Sequence, residues 1–260
     1  MAPPSGRMLP AEAASRRALR VALLGNPNTG KTTLFNRLCG IRARTANYPG
    51  ITADARVGTV GGGAARRIEI TDLPGTYGLS LDLPEARLCR GILTGELGEE
   101  RRPDALLLVL DAANLGRNLV LGAEALALGL PAVIALNMID VAHRQGIGID
   151  ASRLEKGLGC PVVTLNSRSG EGLGALLEAL EHPAPCRAPP QNGGSAPALK
   201  QWADEQARRC VREESRAEDG GRTATDRLDA LVTHRFLGPL IFLAVMAGLF
   251  TVIFSLATIP

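Results

Sequence analysis

Residues 25–32 have the sequence Gly25-Asn26-Pro27-Asn28-Thr29-Gly30-Lys31-Thr32, which matches the pattern GxxxxGK[ST]. The motif follows a predicted strand over residues 20–24 and opens a predicted helix over residues 31–39. Glycines let backbone N–H groups curl around a phosphate, and a helix N-terminus adds partial positive charge. The lysine then reaches the β- and γ-phosphates, and the threonine hydroxyl reaches Mg²⁺. The sequence therefore predicts a P-loop nucleotide-binding fold, with the segment from Gly25 to Thr33 lining the phosphate site.

Outward from this motif, short β-branched or leucine-rich runs alternate with longer helical segments. The predicted strands cover residues 20–24, 55–60, 66–71, 105–110, 132–136 and 161–165. The predicted helices cover residues 31–39, 84–94, 118–128, 151–158 and 173–181. The run Gly61-Gly62-Gly63 is a hairpin signal, so we expect one edge pair of strands to be antiparallel. The order predicts an α/β fold with a six-stranded, mostly parallel sheet flanked by five helices.

A second motif, Asp72-Leu73-Pro74-Gly75, follows the third predicted strand and has the form DxxG. A carboxylate at the carboxyl end of a strand beside the phosphate loop can hold Mg²⁺ through water, and the glycine can turn its N–H group toward the γ-phosphate. We therefore predict that Asp72, Leu73, Pro74 and Gly75 belong to the nucleotide site, with Asp72 close to the metal ion.

A third motif, Asn137-Met138-Ile139-Asp140, follows the fifth predicted strand and has the form NxxD. The Asp140 carboxylate can accept hydrogen bonds from the N1–H and the exocyclic amine of guanine, whereas adenine lacks that pair of donors. Met138 occupies the position where lysine is usual and offers an apolar stem over the base. The motif favours guanine recognition. The alternative interpretation is that Asn137 and Asp140 only cap the next helix.

Two loops complete the predicted site. The loop Asn47-Tyr48-Pro49-Gly50-Ile51-Thr52 lies between the first two motifs, and Thr52 is placed to give Mg²⁺ a hydroxyl when a γ-phosphate is present. The loop over residues 166–170 follows the sixth predicted strand, and we expect a backbone N–H of Ser167 or Arg168 to meet the guanine O6.

Thr76 follows the DxxG glycine, and its hydroxyl is a poor substitute for a water-orienting glutamine, which predicts slow GTP turnover.

The predicted ligands of Mg²⁺ and the predicted catalytic residues follow from these motifs. The expected Mg²⁺ ligands are Thr32, Thr52 and Asp72, and the expected catalytic residues are Lys31, Thr52 and Gly75.

Composition argues against a nucleic-acid partner and against a secreted, disulfide-bonded domain. The formal net charge is only +3, and the chain has one Trp, two Tyr and five Phe, so it offers neither a strong basic field nor many surfaces for base stacking. Its five cysteines are scattered and never form a CxxC pair, which indicates a reducing compartment rather than a zinc site.

The two ends of the chain differ in character. Residues 1–19 lack the apolar run of a secretory signal and are expected to form a mobile tail. Prolines and glycines after residue 182 predict a domain boundary, followed over residues 183–224 by a linker and a short, solvated helical spacer at about residues 198–216. Residues 237–259 carry no charge and are long enough, at ~34 Å as a helix, to cross a membrane.

Taken together, these motifs resemble the bacterial ferrous iron transport protein B (FeoB) family. The resemblance rests on the segments GNPNTGKTTLFNRL, NYPGIT, DLPGTYGL, LDAANLGRNL, ALNMID and DRLDALVTHRFLGPLIFLAVM, and it covers residues 20–181 and again 225–260. It implies a cytoplasmic Ras-like G domain at residues 20–182, joined by a helical spacer to an inner-membrane permease that moves Fe²⁺ and works with small accessory proteins. The resemblance also implies GTP and GDP as ligands and a K⁺ ion, held by Asn28, that stimulates hydrolysis.

The sequence departs from that family in two ways. Its spacer is shorter than the helical domain of the family, and it includes a single membrane segment within residues 225–260, as expected of a truncated piece without the iron pathway. Two rival hypotheses stay open: a soluble TrmE- or Era-like GTPase acting on tRNA or ribosomes, and a guanine-nucleotide switch that does not hydrolyse GTP. The first rival does not explain the apolar segment.

Overall fold

The computed structural model describes residues 18–40, 44–46, 55–61, 67–97, 102–187, 196–213, 232, 235 and 237–257. The chain divides into two compact units, Met1–Glu214 and Ser215–Pro260. The predicted tail as far as residue 17, the loop with Thr52, and Gly62 and Gly63 of the predicted turn lie outside the described residues.

The first unit alternates strands and helices along the chain. Its strands are β1 Leu19–Gly25, β2 Arg44–Ala46, β3 Ala55–Val60, β4 Ile68–Asp72, β5 Ala105–Asp111, β6 Ala132–Asn137, β7 Ile147–Ile149, β8 Val162–Thr164 and β9 Val211–Glu213. Its helices are α1 Lys31–Cys39, α2 Pro84–Thr94, α3 Leu115–Leu126, α4 Ile139–Arg144, α5 Ala151–Leu158, α6 Leu173–Glu181 and α7 Ala196–Cys210, with a short 3-10 turn at Ala112–Asn114.

Within the described residues, seven strands form one sheet in the order β2-β3-β4-β1-β5-β6-β8. The pairs β4-β1, β1-β5, β5-β6 and β6-β8 are parallel, and β2-β3 and β3-β4 are antiparallel. The register places Asp72 opposite Leu23, and Asn137 opposite Asp111. The carboxyl ends of β1, β4 and β6 therefore meet at one edge, which is where open parallel sheets bind ligands.

Both faces of the sheet are covered, because its central strands are apolar along their whole length. Every residue of β6 is buried, and only Asp111 of β5 is partly exposed. One hydrophobic cluster joins the sheet to α1 and α6 through residues such as Phe35 and Leu176. The other cluster joins it to α2, α3, α5 and α7. This is a doubly wound α/β unit.

The six predicted strands and five predicted helices all occur, and the antiparallel β3-β4 pair is confirmed. Helices α1, α2, α5 and α6 begin and end where the sequence predicts, whereas α3 begins three residues earlier, after the 3-10 turn capped by Asp111. The structure adds β2 at the sheet edge. Three residues with no apolar alternation are too few to produce a strand signal in the sequence.

The residues expected to form a solvated spacer after residue 182 pack instead on the preceding part of the chain. Helix α7 buries Ala203, Gln206, Ala207 and Cys210 against the rest of the first unit. Strand β9 then pairs antiparallel with β7. The compact unit therefore continues past the predicted boundary at residue 182 to Glu214, because small side chains along one face of α7 allow close packing.

The second unit contains helix α8, Leu237–Ala257. Its segment Leu237–Phe254 has a mean hydropathy of 2.4, and by length and composition this helix can cross a membrane. Pro239 lies in the first turn, where a missing N–H removes no intrahelical hydrogen bond. Thr251 Oγ1 donates to the Ala247 carbonyl oxygen at 2.8 Å, which satisfies the one described hydroxyl donor of the helix internally.

Candidate nucleotide-binding site

The loop between β1 and α1 encloses the first part of the site. It lines a cavity of about 370 Å³ together with the glycine of the DxxG motif. The lining residues are Asn26, Pro27, Asn28, Gly30, Lys31, Thr32, Thr33 and Gly75.

Backbone conformation explains the residue types in this loop. Asn28 and Gly30 both have left-handed conformations, with φ angles of 65° and 81°. Asparagine and glycine tolerate that region better than other residues. A Cβ at Gly25 would lie 2.7 Å from the Val109 carbonyl oxygen of the neighbouring strand β5, so this position has no room for a side chain.

Lys31 and Asp72 bring the first two motifs into contact. The Lys31 ammonium donates to Asp72 Oδ1, and the two residues are only 7% and 5% exposed. The Thr32 and Thr33 side chains are exposed at the start of α1 beside this pair. The Thr32 hydroxyl and the Asp72 carboxylate are hard oxygen donors, so the residues present suit Mg²⁺, which is usually held by one or two carboxylates and by substrate phosphates.

The DxxG segment lies directly over the phosphate loop. The Leu73 N–H donates to the Leu23 carbonyl oxygen at 3.0 Å, which continues the β1-β4 ladder by one residue. A Cβ at Gly75 would lie 3.1 Å from both Pro27 N and Pro27 Cα. A side chain here would crowd the Pro27 backbone, so glycine favours this approach, which brings the Gly75 backbone beside the cavity.

Two residues that the sequence analysis did not identify hold the segment after Asp72. The Cys89 thiol of α2 donates to the Pro74 carbonyl oxygen at 3.3 Å, and burial raises the pKa of this thiol to about 12, which keeps it protonated. The Glu124 carboxylate of α3 accepts from the Leu79 N–H, from the Ser80 N–H at 3.2 Å and from the Ser80 hydroxyl at 2.7 Å. Glu124 is the lone acidic residue of α3, and this was the one feature of the sequence that could have indicated its role.

Thr76 is turned away from the cavity. It is 3% exposed, and its hydroxyl donates to the Gly78 carbonyl oxygen at 3.0 Å. The side chain after the DxxG glycine thus makes a local turn contact and is not among the residues that line the cavity.

Asn137 joins the phosphate loop to the third motif. Its Nδ2 donates to the Thr29 carbonyl oxygen at 2.8 Å and to Ser167 Oγ at 3.0 Å, and its Oδ1 accepts from the Ser167 N–H at 2.9 Å. The residue is 1% exposed. Helix α4 begins after Met138, which has a left-handed φ of 62°, and no side chain caps it. The capping interpretation of the NxxD motif therefore fails.

Asp140 lies in the first turn of α4 and points toward solvent. Its side chain is 46% exposed and forms an ion pair with Arg144, with 3.3 Å between Oδ2 and Nη2. The motif thus has two separate parts: a buried asparagine that fixes the loops, and an accessible carboxylate.

The loop over residues 166–170 forms a compact turn around Asn166. Asn166 Oδ1 accepts from the N–H groups of Arg168 and Ser169, at 3.0 and 3.1 Å. The Ser167 N–H donates to Asn137, so both N–H groups expected to face guanine O6 have acceptors within the protein. Arg37 of α1, which the sequence analysis missed, donates to the Arg168 carbonyl oxygen and fixes the loop to the helix that follows the phosphate loop.

Comparisons with known proteins agree on one family. The model of the family described as ferrous iron transport protein B matches residues 19–180. The chain is 42% identical over 170 residues to the Fe(2+) transporter FeoB of Salmonella typhimurium and to that of Escherichia coli K12, which covers 64% of this chain and 21% of each relative. The chain therefore spans about a fifth of the length of these curated relatives.

Solved structures give the same answer for the fold. A GDP-bound variant of S. thermophilus NFeoB has a TM-score of 0.58 and 40% identity, covering 64% of this chain and 62% of that one. The cytosolic domain of L. pneumophila FeoB has a TM-score of 0.58 and 38% identity, covering 64% of each chain. The G domain of T. maritima FeoB has a TM-score of 0.56 and 36% identity, covering 63% of this chain and 97% of that one.

The family match covers more than half of the chain and coincides with the unit that carries the three motifs, and the structural neighbours are G domains of the same kind. The chain belongs to the ferrous iron transport protein B family and contains its N-terminal, Ras-like G domain.

Proposed function

We propose that the first unit binds GTP and GDP and hydrolyses GTP, as the regulatory part of a ferrous iron transporter. One observation carries this proposal: the Asn137 side chain ties the phosphate loop at Thr29 to the guanine-side loop at Ser167. The phosphate and base halves of the site are thereby one hydrogen-bonded structure. GDP in a related S. thermophilus protein supports the choice of nucleotide.

Specificity for guanine rests on Asp140. An exposed carboxylate after the Asn137 turn can accept from both the N1–H and the exocyclic amine of guanine. With ATP, the Asp140 carboxylate would face a hydrogen-bond acceptor on the base. Adenine is therefore rejected because the carboxylate charge would stay unpaired, and not because of the size of the base. The exposed Arg144 partner can release Asp140 at little cost, because surface ion pairs contribute about 0–1 kcal/mol.

Hydrolysis uses charges that the fold already holds in place. Lys31 and the N–H groups of the phosphate loop stabilise negative charge on the β,γ-bridging region. The Gly75 N–H is placed to reach the γ-phosphate. Thr76 orients no water, because its hydroxyl is committed to Gly78, and we therefore expect slow intrinsic turnover.

Mg²⁺ would be held by Thr32, Asp72 and, from outside the described residues, Thr52. When bound, it supplies positive charge that neutralises the phosphate oxygens. We assign Asn28 to a K⁺ ion beside the same phosphates, since its side chain is exposed at the rim of the cavity and its backbone is held in a left-handed conformation.

We propose that α8 spans the bacterial inner membrane with the G domain on the cytoplasmic side, and that the rest of the permease and small iron-transport accessory proteins are its partners. The names of the curated relatives, Fe(2+) transporter FeoB, and the apolar helix support this assignment. The family match favours the transporter over the soluble TrmE- or Era-like alternative.

GTP turnover by the full chain in detergent tests the enzymatic part. We expect turnover with GTP and not ATP, and a loss of roughly 100-fold in Lys31→Ala, the size of losing one strong charge-stabilising donor. Lys156→Ala, on an exposed position of α5, is the control and should leave the rate unchanged. Equal turnover of ATP and GTP would contradict the proposal.

The K⁺ assignment needs its own test. We expect faster GTP turnover in K⁺ than in Na⁺, and loss of this stimulation in Asn28→Ala with nucleotide affinity retained, because the cation acts mainly on transition-state charge. Asn36→Ala, at an exposed position of α1, is the matched control and should keep the stimulation. Equal rates in the two salts for the parent protein would refute the assignment.

A further inference from the structure

Cys160 and Cys186 lie next to each other although 25 residues separate them in the sequence. Cys160 lies between α5 and β8, and Cys186 follows α6. The backbone brings them together. The Arg187 N–H donates to the Leu158 carbonyl oxygen at 2.7 Å, and the Ala132 N–H donates to the Ala184 carbonyl oxygen at 2.8 Å. The segment after α6 thus folds back along the end of α5 and the start of β6.

The two thiols share one environment. Cys160 belongs to the hydrophobic cluster that packs under α5, and the side chain of Cys186 packs against the same cluster. The Cys186 thiol donates to the Ala184 carbonyl oxygen at 3.7 Å, and it lies close enough to Cys160 for each thiol to shift the pKa of the other. Cys160 is 2% exposed, whereas Cys186 is partly exposed. The pair therefore has one solvent-accessible thiol with a buried thiol behind it.

The pKa values of the two thiols also shift in opposite directions. The neighbouring Cys160 lowers the pKa of the Cys186 thiol, although partial burial acts in the opposite direction. The neighbouring Cys186 and burial raise the pKa of the Cys160 thiol. Because Cys186 is partly exposed and Cys160 is buried, Cys186 is the thiol that a dissolved disulfide reaches first.

We propose that Cys160 and Cys186 are a redox-sensitive dithiol that closes to a disulfide by exchange with a low-molecular-weight disulfide such as oxidised glutathione. The Cys186 thiolate attacks one sulfur of that disulfide, forms a mixed disulfide and expels the other half as a thiolate. The Cys160 thiol then gives its proton to solvent and attacks the Cys186 sulfur, which releases the second small thiolate. Two protein thiols are oxidised and one small disulfide is reduced to two thiols.

The bond would enclose a functional part of the G domain. The loop from Cys160 to Cys186 contains β8, the turn around Asn166 and α6. A cross-link across a loop of this length restricts the unfolded chain and stabilises the segment against local opening. In a reducing compartment the bond is expected to be transient, which suits a sensor rather than a structural disulfide.

The test is oxidation of the full chain, purified in detergent with reductant and then exposed to oxidised glutathione. Trypsin cleaves after Lys156, Arg168 and Arg187, so the two cysteines lie in separate peptides, residues 157–168 and 169–187. We expect these two peptides joined by a disulfide, two of the five thiols lost, and a melting temperature raised by roughly 5–10 °C. Peptides that stay separate, or a stable glutathione adduct on Cys186, would overturn the proposal.

Single variants separate the roles of the two sulfurs. Cys160→Ala should trap one glutathione on Cys186, whereas Cys186→Ala should take up none at Cys160. Cys210→Ala removes another buried cysteine and should still form the linked peptides. If Cys160→Ala instead loses two thiols without an adduct, another pair reacts and the assignment is wrong.

Discussion

At the scale of single residues, the site depends on one buried amide. Asn137 donates to Thr29 and Ser167 and accepts from Ser167, so its two polar atoms are both used. The sequence placed Asn137 in a base-recognition motif, but the spacing alone could not distinguish contact with the base from support of the loops. Only the approach of residues 29, 137 and 167, from three distant segments, reveals the supporting role.

We predict that Asn137→Ala destabilises the first unit by about 2–4 kcal/mol, because the Ser167 N–H and the Thr29 carbonyl oxygen lose their buried partner. Urea unfolding followed by circular dichroism measures this change, and nucleotide affinity should fall with it. Asn36→Ala, on the exposed face of α1, serves as control and should change stability by less than about 0.5 kcal/mol. Equal stabilities of the two variants would contradict the supporting role.

We predict that Asp140→Asn weakens GTP roughly 10- to 150-fold, since each charge-assisted hydrogen bond contributes about 1.5–3 kcal/mol. The new amide can donate to the C2 oxygen of xanthine, so affinity for xanthosine triphosphate should rise. Titration of the variant with both nucleotides measures this change of specificity. Arg144→Ala removes the ion pair without touching the carboxylate, and it should leave GTP affinity nearly unchanged. Unaltered GTP binding by Asp140→Asn would end the assignment.

At the scale of elements, the sequence predicted the ends of most helices but not the burial of α7. Four of the predicted helices match the structure to the residue because apolar periodicity coincides with strong end signals, such as Pro84 at the start of α2 and Gly159 after α5. In α7 the balance of charges suggested a solvated spacer. Its buried face carries mainly alanine, glutamine and cysteine, which produce a weak hydrophobic signal although their spacing is helical.

Helix α7 packs against glycines of two neighbouring helices. A Cβ on Gly116 of α3 would lie 3.6 Å from the Ala207 Cβ. A Cβ on Gly157 of α5 would lie 2.6 Å from Gln206 Oε1. Glycines on two helices thus face small or polar side chains on the third. Strand β9 follows directly and is fixed by the Arg212–Asp150 ion pair at 3.0 Å.

We predict that Ala203→Leu destabilises the first unit by about 1–3 kcal/mol, because extra methylene groups cannot fit at a fully buried contact. Ala198→Leu makes the same change at an exposed position of the same helix, so it keeps helix propensity and hydrophobicity matched. Thermal unfolding of the two variants measures the difference. If α7 were a solvated spacer in solution, both variants would melt at the same temperature.

At the scale of the whole molecule, the two units differ in the solvent that suits them. The first unit buries its apolar residues in two clusters on the faces of a sheet. Helix α8 instead exposes large apolar side chains all around, including Leu240, Phe242, Leu243 and Phe254. A helix with no polar face is stable in hydrocarbon, where every backbone group is satisfied within the helix. Composition predicted this element fully, since no tertiary contact is needed to define it.

We predict that α8 crosses the inner membrane and that the G domain faces the cytoplasm. Twenty-one residues span ~32 Å, close to the ~30 Å hydrocarbon core, and Arg227 and Arg235 lie on the flank that the positive-inside tendency assigns to the cytoplasm. Protease added to inside-out vesicles should remove the G domain, whereas right-side-out vesicles should protect it.

The matched controls are a chain ending at residue 236 and the variant Val245→Arg, which places a charge in the middle of the apolar helix. The shortened chain should be soluble and keep its nucleotide affinity, because none of the described site residues lies beyond residue 170. The arginine variant should insert less, since a central charge costs about 2.5–3.5 kcal/mol on insertion scales. A full chain that stays monodisperse in buffer without detergent would mean that α8 is covered by protein, and the membrane assignment would lose its physical basis.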